Sequence, residues 1–289
     1  MTRVAAVDLG TNATRLLVAD VVDGEVHDVV RRTRITRLGE GVDARRRLLP
    51  APIARVRNVL VDYRREAEAL GAVRTVAVAT SAVRDAENGE AFLGEVEWSY
   101  GFLTRLLSGD EEAALTRRGL GDALTAGTLV IDVGGGSTEL ITADFRRSLD
   151  VGSVRLTERF GDDLEAAAAH VRSLLPDLDP SRALGVDGTT AVLTAIVGRD
   201  DATAAEVESL LERLAAAPAA ERRELLVEQP DRADVIVGGV VVIREVLRRY
   251  GLPGIARCGR DLLTGAALVA AELPDDEEGA APPGAFTCC

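Results

Sequence analysis

Lysine is missing: every one of the 34 basic residues is arginine. This is chiefly a coding bias, although arginine also suits bidentate contact with phosphate. Cysteine is scarce. Cys258, Cys288 and Cys289 form neither a disulfide framework nor a CxxC metal pair, and the ending Phe286-Thr287-Cys288-Cys289 is not a prenylation signal. Aromatic residues make up 3% of the chain, so its cores must be built from Val, Leu, Ile and Ala. The longest apolar run, Val235 to Ile243, is too short to span a bilayer. Met1-Thr2-Arg3 enters an apolar strand without a signal-peptide layout. A soluble, cytoplasmic chain with no membrane partner is expected. Excess positive charge is also lacking. The net charge of −13 argues against non-specific nucleic-acid binding. If the ligand is an anion, either the site is locally basic or a divalent cation neutralises it.

What is present is an internal repeat. The 289 residues, 47% of them apolar, suit two domains at roughly 150 residues each. Val4 to Asp20 aligns without a gap on Thr128 to Asp144 at a constant offset of 124 residues. Asp8 falls on Asp132, Gly10 on Gly134, Thr14 on Thr138 and Leu16 on Leu140. Each copy is an apolar run, a polar glycine-bearing turn and a second apolar run, which is β-hairpin grammar. Between and after the copies, helical periodicity over Pro52–Leu70, Glu111–Gly119, Leu164–Leu175, Ala204–Ala216, Val235–Tyr250 and Leu262–Glu272 alternates with short strands. Strands mixed with helices in two repeated halves predict α/β domains. The expected division is 1–122 and 123–274, with the last helix able to pack back on the first domain. An acidic, Pro/Gly-rich tail, 275–289, is expected to be disordered.

Gly134-Gly135-Gly136-Ser137-Thr138 permits φ > 0 and close backbone approach, so consecutive amides can form an anion-binding nest. It is neither a Walker A loop nor a dinucleotide fingerprint. A bare glycine triplet is more often a flexible turn; Asp132, Glu139 and the mirrored loop at Asp8 to Arg15 reverse that preference. Thr11 and Asn12 occupy the mirrored turn, with Arg15 beyond it. Asp8 and Asp132 close central strands, where carboxylates suit Mg²⁺. Acids at a helix start, as in Ser108-Gly109-Asp110-Glu111-Glu112, are ordinarily dipole partners, and a general base is the functional alternative. Arg84 is either a phosphate contact or a solvated arginine. His27 and His170 match no metal or triad motif.

Asp8-Leu9-Gly10-Thr11-Asn12, Ser108-Gly109-x-Glu111-Glu112-Ala113, Asp132-x-Gly-Gly-Gly-Ser-Thr-Glu139 and Gly152-Ser153-Val154-Arg155-Leu156-Thr157-Glu158-Arg159-Phe160 occur in this order. Over residues 3 to 272 the chain thereby resembles the exopolyphosphatase/guanosine pentaphosphate phosphatase family of the actin/Hsp70/sugar-kinase superfamily. The resemblance implies two actin-like (ASKHA, ribonuclease H-like) α/β domains with the active site in the cleft between them. It also implies Mg²⁺-dependent release of terminal phosphate from polyphosphate or guanosine pentaphosphate. By position, Glu112 resembles the catalytic base, with Glu111 beside it. Asp8, Asp132 and Glu139 are the metal candidates. Thr11, Asn12, Arg15, Arg84, Gly134, Gly135, Gly136, Ser137, Thr138 and Ser153 form the phosphate-contacting set.

There are departures. Thr11 and Ala13 replace the usual serines, and Ala113-Ala114-Leu115 lacks the arginine of many members. Asp187 brings an acid to a stretch where small residues are usual, and Arg260-Asp261-Leu262-Leu263-Thr264-Gly265 replaces a C-terminal Gly-Leu-Arg-Glu-Gly signature. The length leaves no room for the helical HD-type domain of longer members, so short polyphosphates are the expected substrate. An ATP-dependent kinase needing an adenosine pocket at Gly185 to Thr190, and a non-catalytic sensor of guanosine tetra- or pentaphosphate, are the rival readings. A homodimer is left open.

Overall fold

The computed structural model describes residues 1–227 and 229–274; the tail from Asp275 lies outside the described residues. The chain forms two compact units, Met1–Gly119 joined by the segment from Leu262, and Leu120–Asp261. The boundary falls three residues before the expected one.

In the first unit, β1 (Thr2–Leu9), β2 (Ala13–Val22) and β3 (Glu25–Ile35) form an antiparallel meander. Asp23 and Gly24, both at positive φ, make its second turn as two-residue hairpins require. Helices α1 (Val42–Arg45) and α2 (Pro50–Ala69) follow. The stripe Val56, Leu60, Tyr63, Ala67 seats α2 on the sheet, and Gly71 at φ 77° stops it. Then come β4 (Arg74–Ala79), α3 (Ser81–Arg84), α4 (Gly89–Tyr100), β5 (Leu103–Leu106) and α5 (Gly109–Leu120). The sheet order is β3-β2-β1-β4-β5, with β4 and β5 parallel to β1.

The second unit runs β6 (Thr128–Val133), β7 (Thr138–Ile141), β8 (Arg146–Leu149), α6 (Ser153–Phe160), α7 (Leu164–Leu174), β9 (Arg182–Gly185), α8 (Gly188–Val197), β10 (Asp201–Thr203), α9 (Ala204–Ala216), α10 (Ala219–Leu225), α11 (Ile236–Tyr250) and β11 (Gly254–Arg257). Its sheet order is β10-β11-β9-β6-β7-β8. Helix α11 lies inside this unit, with Val240, Val241, Val242, Ile243 and Val246 fully buried. Two further sequence features become clear here. Thr203 and Glu206 cap α9 reciprocally. Asp187 is the N-cap of α8, accepting from the amides of Thr189 (2.6 Å) and Thr190 (2.8 Å) and from the Thr190 hydroxyl. Its position thus reflects a cap, and burial raises its pKa.

The chain then returns to the first unit as α12 (Leu262–Glu272). Side-chain alternation along β1 explains why. Ala5, Val7 and Leu9 enter the core containing Val56, Leu60 and Tyr63, while Val4 and Ala6 point the other way, onto Leu262, Leu263, Ala266, Ala267 and Ala270. A strand buried on both faces needs two covering layers, and α12 supplies part of the second.

The repeat is realised bond by bond. Asp8 pairs with Arg15 and Leu9 with Thr14; at the same offset Asp132 pairs with Glu139 and Val133 with Thr138. The Gly10 amide donates to Ala13 O at 3.1 Å, and the Gly134 amide to Ser137 O at 2.9 Å. A Cβ on either glycine would crowd that carbonyl, at 2.8 Å and 3.0 Å.

Candidate active site

Glu112 sits in the first turn of α5 and is 7% exposed. Burial pushes its pKa up to about 7, with the Asp8 carboxylate adding to the rise, while the Arg84 and Arg15 guanidiniums pull against it. Arg84, ending α3, donates to Leu107 O at 2.7 Å and to Glu112 Oε2 at 3.3 Å. One arginine thereby ties β5's exit to the candidate base. Glu111, expected beside Glu112 at the catalytic centre, is engaged by Ser108. Its carboxylate accepts from the Ser108 amide (2.8 Å) and hydroxyl (2.6 Å), and its amide lies 3.3 Å from Ser108 Oγ. This is a capping box, and these hydrogen bonds hold its pKa below the ordinary glutamate value. The exposed neighbour caps the helix, and the buried Glu112 is poised to exchange a proton.

The first hairpin loop is pinned by backbone. The Thr36 and Arg37 amides donate to Asn12 O, and the Gly39 amide donates to Thr11 O at 2.8 Å. A Cβ on Gly39 would lie 2.3 Å from Thr11 Cγ2, so only glycine lets the two segments meet. Asn12 is 5% exposed, and its Nδ2 has no acceptor among the described residues. A buried donor without an acceptor is costly, so this amide is available to a ligand or to water. Arg15, expected to hold phosphate, donates from Nε and Nη2 to Asp8 Oδ2, both at 2.8 Å. Asp8 and Arg15 thus form an ion pair through Asp8 Oδ2.

The second loop works through peptide planes. Gly134 O accepts from the Ser153 amide and hydroxyl, Gly135 O from the amides of Val154 (2.8 Å) and Arg155 (3.1 Å), and Gly136 O from Arg155 Nε (2.7 Å). In a trans peptide the following N–H points opposite to the C=O. Three carbonyls turned onto the start of α6 therefore turn the Gly135, Gly136 and Ser137 amides away from it. These amides make no hydrogen bond among the described residues. The array forms without positive φ at Gly134, Gly135 or Gly136, correcting the expected use of left-handed glycine. The tight contact is at Gly152, where a Cβ would lie 2.6 Å from Gly135 C and O and 2.7 Å from Gly136 N. Ser153 orients the loop by bonding its carbonyl. Thr138 is fully buried and donates to Val151 O at 2.6 Å, a structural bond that replaces the expected phosphate contact. Arg155, quoted in the motif but given no role by the sequence, clamps Gly136.

Asp132 and Glu139 lie directly opposite each other on β6 and β7, with Ser148 next in the row on β8, its hydroxyl donating to Glu139 Oε1 at 2.7 Å. Where the first hairpin pairs Asp8 with an arginine, the second sets two carboxylates side by side. Among the described residues no group of three or more His, Cys, Asp or Glu forms a metal cluster. No described helix is long and apolar enough to cross a membrane.

The two α/β units carry matching Asp-x-Gly hairpins; the second unit has an amide array turned away from α6, and Asp8 of the first acts on a buried glutamate of raised pKa. The model of the Ppx/GppA phosphatase family matches residues 17–258, and the chain belongs to that family. It is 36% identical to exopolyphosphatase 2 of Mycobacterium tuberculosis, over 93% of this chain and 98% of that one. It is 29% identical to guanosine-5′-triphosphate,3′-diphosphate pyrophosphatase of Vibrio vulnificus, over 94% of this chain and 60% of that one. The crystal structure of an exopolyphosphatase-like protein, 29% identical, superposes with a TM-score of 0.85 over 93% of this chain and 97% of its own.

Proposed function

We propose that the protein is an exopolyphosphatase that releases the terminal phosphate of inorganic polyphosphate. The observation that carries this reading is the amide array of Gly135, Gly136 and Ser137, an anion site made of backbone. Glu112 takes the proton of a water whose oxygen bonds to the terminal phosphorus. The bridging P–O bond breaks, and its electrons leave on the shortened chain. A base with a pKa near neutrality suits that proton transfer. Asn12 Nδ2 and Arg84 donate to phosphate oxygens. Asp132 and Glu139 are the hard oxygen donors that would hold Mg²⁺, whose chemistry is to neutralise charge on the phosphates.

Guanosine pentaphosphate ends in the same phosphoanhydride chemistry, and the Vibrio relative favours it as the second reading. Polyphosphate is preferred because the mycobacterial relative has the higher identity and matches along nearly its whole length. The kinase reading loses ground at its adenosine pocket: a Cβ on Gly185 would lie 2.1 Å from Thr190 Oγ1, so that corner is filled. Phosphate release from polyphosphates of graded length and from guanosine pentaphosphate, with and without Mg²⁺, tests the proposal. Release from the nucleotide alone would transfer the assignment to the second reading. Tight nucleotide binding without any release would make the protein a sensor.

A further inference from the structure

The mechanism leaves unused the arginine run Arg45-Arg46-Arg47, which is exposed in an otherwise acidic chain. Three hydrogen bonds fasten this segment to the residues just after Arg84. The Glu87 amide donates to Arg46 O at 2.8 Å, the Leu48 amide to Asn88 Oδ1 at 2.8 Å, and Asn88 Nδ2 to Leu48 O at 3.1 Å. Arg46 Nη1 lies 4.0 Å from Oδ1 of Asp85, the residue that follows Arg84, and its side chain is 57% exposed. Arg47 is exposed and makes no hydrogen bond or ion pair among the described residues. Arg46 caps α1 at φ 52°, ψ 33°, a left-handed position that glycine fills at no steric cost and an arginine fills at some. The cap is closed by the Arg46 amide, which donates to Val42 O at 2.8 Å.

Resting on the exopolyphosphatase reading, we propose that Arg46, with Arg47 beside it, is a second cationic subsite. It holds phosphates of the chain further from the bond being cut than the one next to Arg84. A polyphosphate carries negative charge at every phosphorus, so a pinned cation adjoining the Arg84 position gains with each residue of polymer that reaches it. Such a contact binds long chains more tightly than tripolyphosphate and leaves the chemical step alone. Arg46 is therefore a specificity-determining residue.

Arg46→Gly separates this role from a structural one, because glycine relieves the left-handed strain. The variant should melt at or above the wild-type temperature. Its KM for long-chain polyphosphate should rise roughly tenfold, the loss expected for one charge-assisted contact, while kcat and the KM for tripolyphosphate stay within about twofold. Arg46→Lys should recover most of the affinity. An unchanged long-chain KM in Arg46→Gly, with normal activity, overturns the subsite and leaves the exopolyphosphatase reading standing. If the wild type releases no phosphate from polyphosphate, that reading fails instead. Equilibrium titration with long-chain polyphosphate then decides the subsite: weaker binding by Arg46→Gly supports it, and equal binding refutes it.

Discussion

Changing Glu112 to glutamine should alter stability and catalysis in opposite directions, by amounts that follow from its burial. Its carboxyl has an ordinary pKa of 4.5 and one of about 7 in the folded chain. A rise of that size corresponds to about 3 kcal/mol. The sign follows from linkage. Between pH 4.5 and 7 the native state binds the proton that the unfolded state has released, so stability falls as pH rises through this window and is level above it. Glutamine carries no charge and escapes the penalty. Paired thermal melts should therefore nearly coincide at pH 4.5, while at pH 8 Glu112→Gln should be the more stable, by up to about 3 kcal/mol. Turnover moves the other way, dropping by roughly 10²- to 10⁴-fold if Glu112 is the base. In the wild type, log kcat/KM should climb with unit slope below about pH 7 and flatten above it. Wild-type kcat/KM flat from pH 5.5 to 8, together with no opening of the stability gap, would show that Glu112 neither titrates in this range nor serves as the base.

Three further outcomes follow from the geometry. Glu111→Ala removes the reciprocal cap of α5 and should lower stability by about 1 kcal/mol with kcat nearly intact; a hundredfold loss of kcat would restore Glu111 to the chemistry. Asn12→Ala deletes a buried donor that has no acceptor among the described residues, so urea midpoints should hold or rise while KM climbs about tenfold; a destabilised variant with unchanged KM would mean that the amide serves the fold. Gly152→Ala drives a methyl into the Gly135–Gly136 backbone, which should cost about 1–3 kcal/mol and raise KM as the amide array shifts; unchanged melting and KM would contradict the close packing.

Much of this was legible in the sequence, for physical reasons. Each hairpin has two continuous apolar strands around a polar turn, and the constant offset carried register as well as identity, down to the Gly10 and Gly134 turn bonds. Helices with one apolar stripe, such as α2 and α9, could be placed within a few residues. The four-residue strands β5 and β8 and three-residue β10 are too short to show periodicity. Helix α12 is apolar almost all round, so its sequence does not say which sheet it covers. At the site, residue types pointed to particular loops, and the hydrogen bonds show which of their groups are already engaged. Nothing in Glu111-Glu112 distinguishes the cap from the buried acid until Ser108 is seen to hold the first. The glycine triplet suggested left-handed backbone, whereas its carbonyls are drawn onto α6, an arrangement that depends on residues sixteen or more positions away.

The two hairpins share a fold and differ in charge, and the difference bears on where a cation would bind. At equivalent register positions the first hairpin sets Asp8 against Arg15 and the second sets Asp132 against Glu139. Like charges directly opposite across strands are destabilising, and Glu139 is only 1% exposed. If Mg²⁺ relieves this pair, it should stabilise the substrate-free protein, by about 2.7 kcal/mol at a hundred times its Kd. Glu139→Gln should melt at or above the wild type without metal, because one of the opposed charges is gone, and should gain far less from added Mg²⁺. Asp8→Asn, altering the equivalent position of the first hairpin, should leave the Mg²⁺ increment of the melting temperature unchanged, even if its own baseline falls with the loss of the Arg15 pair. A metal increment that survives Glu139→Gln and disappears in Asp8→Asn would place the cation on the first hairpin, and the carboxylate pair of the second would then need another explanation.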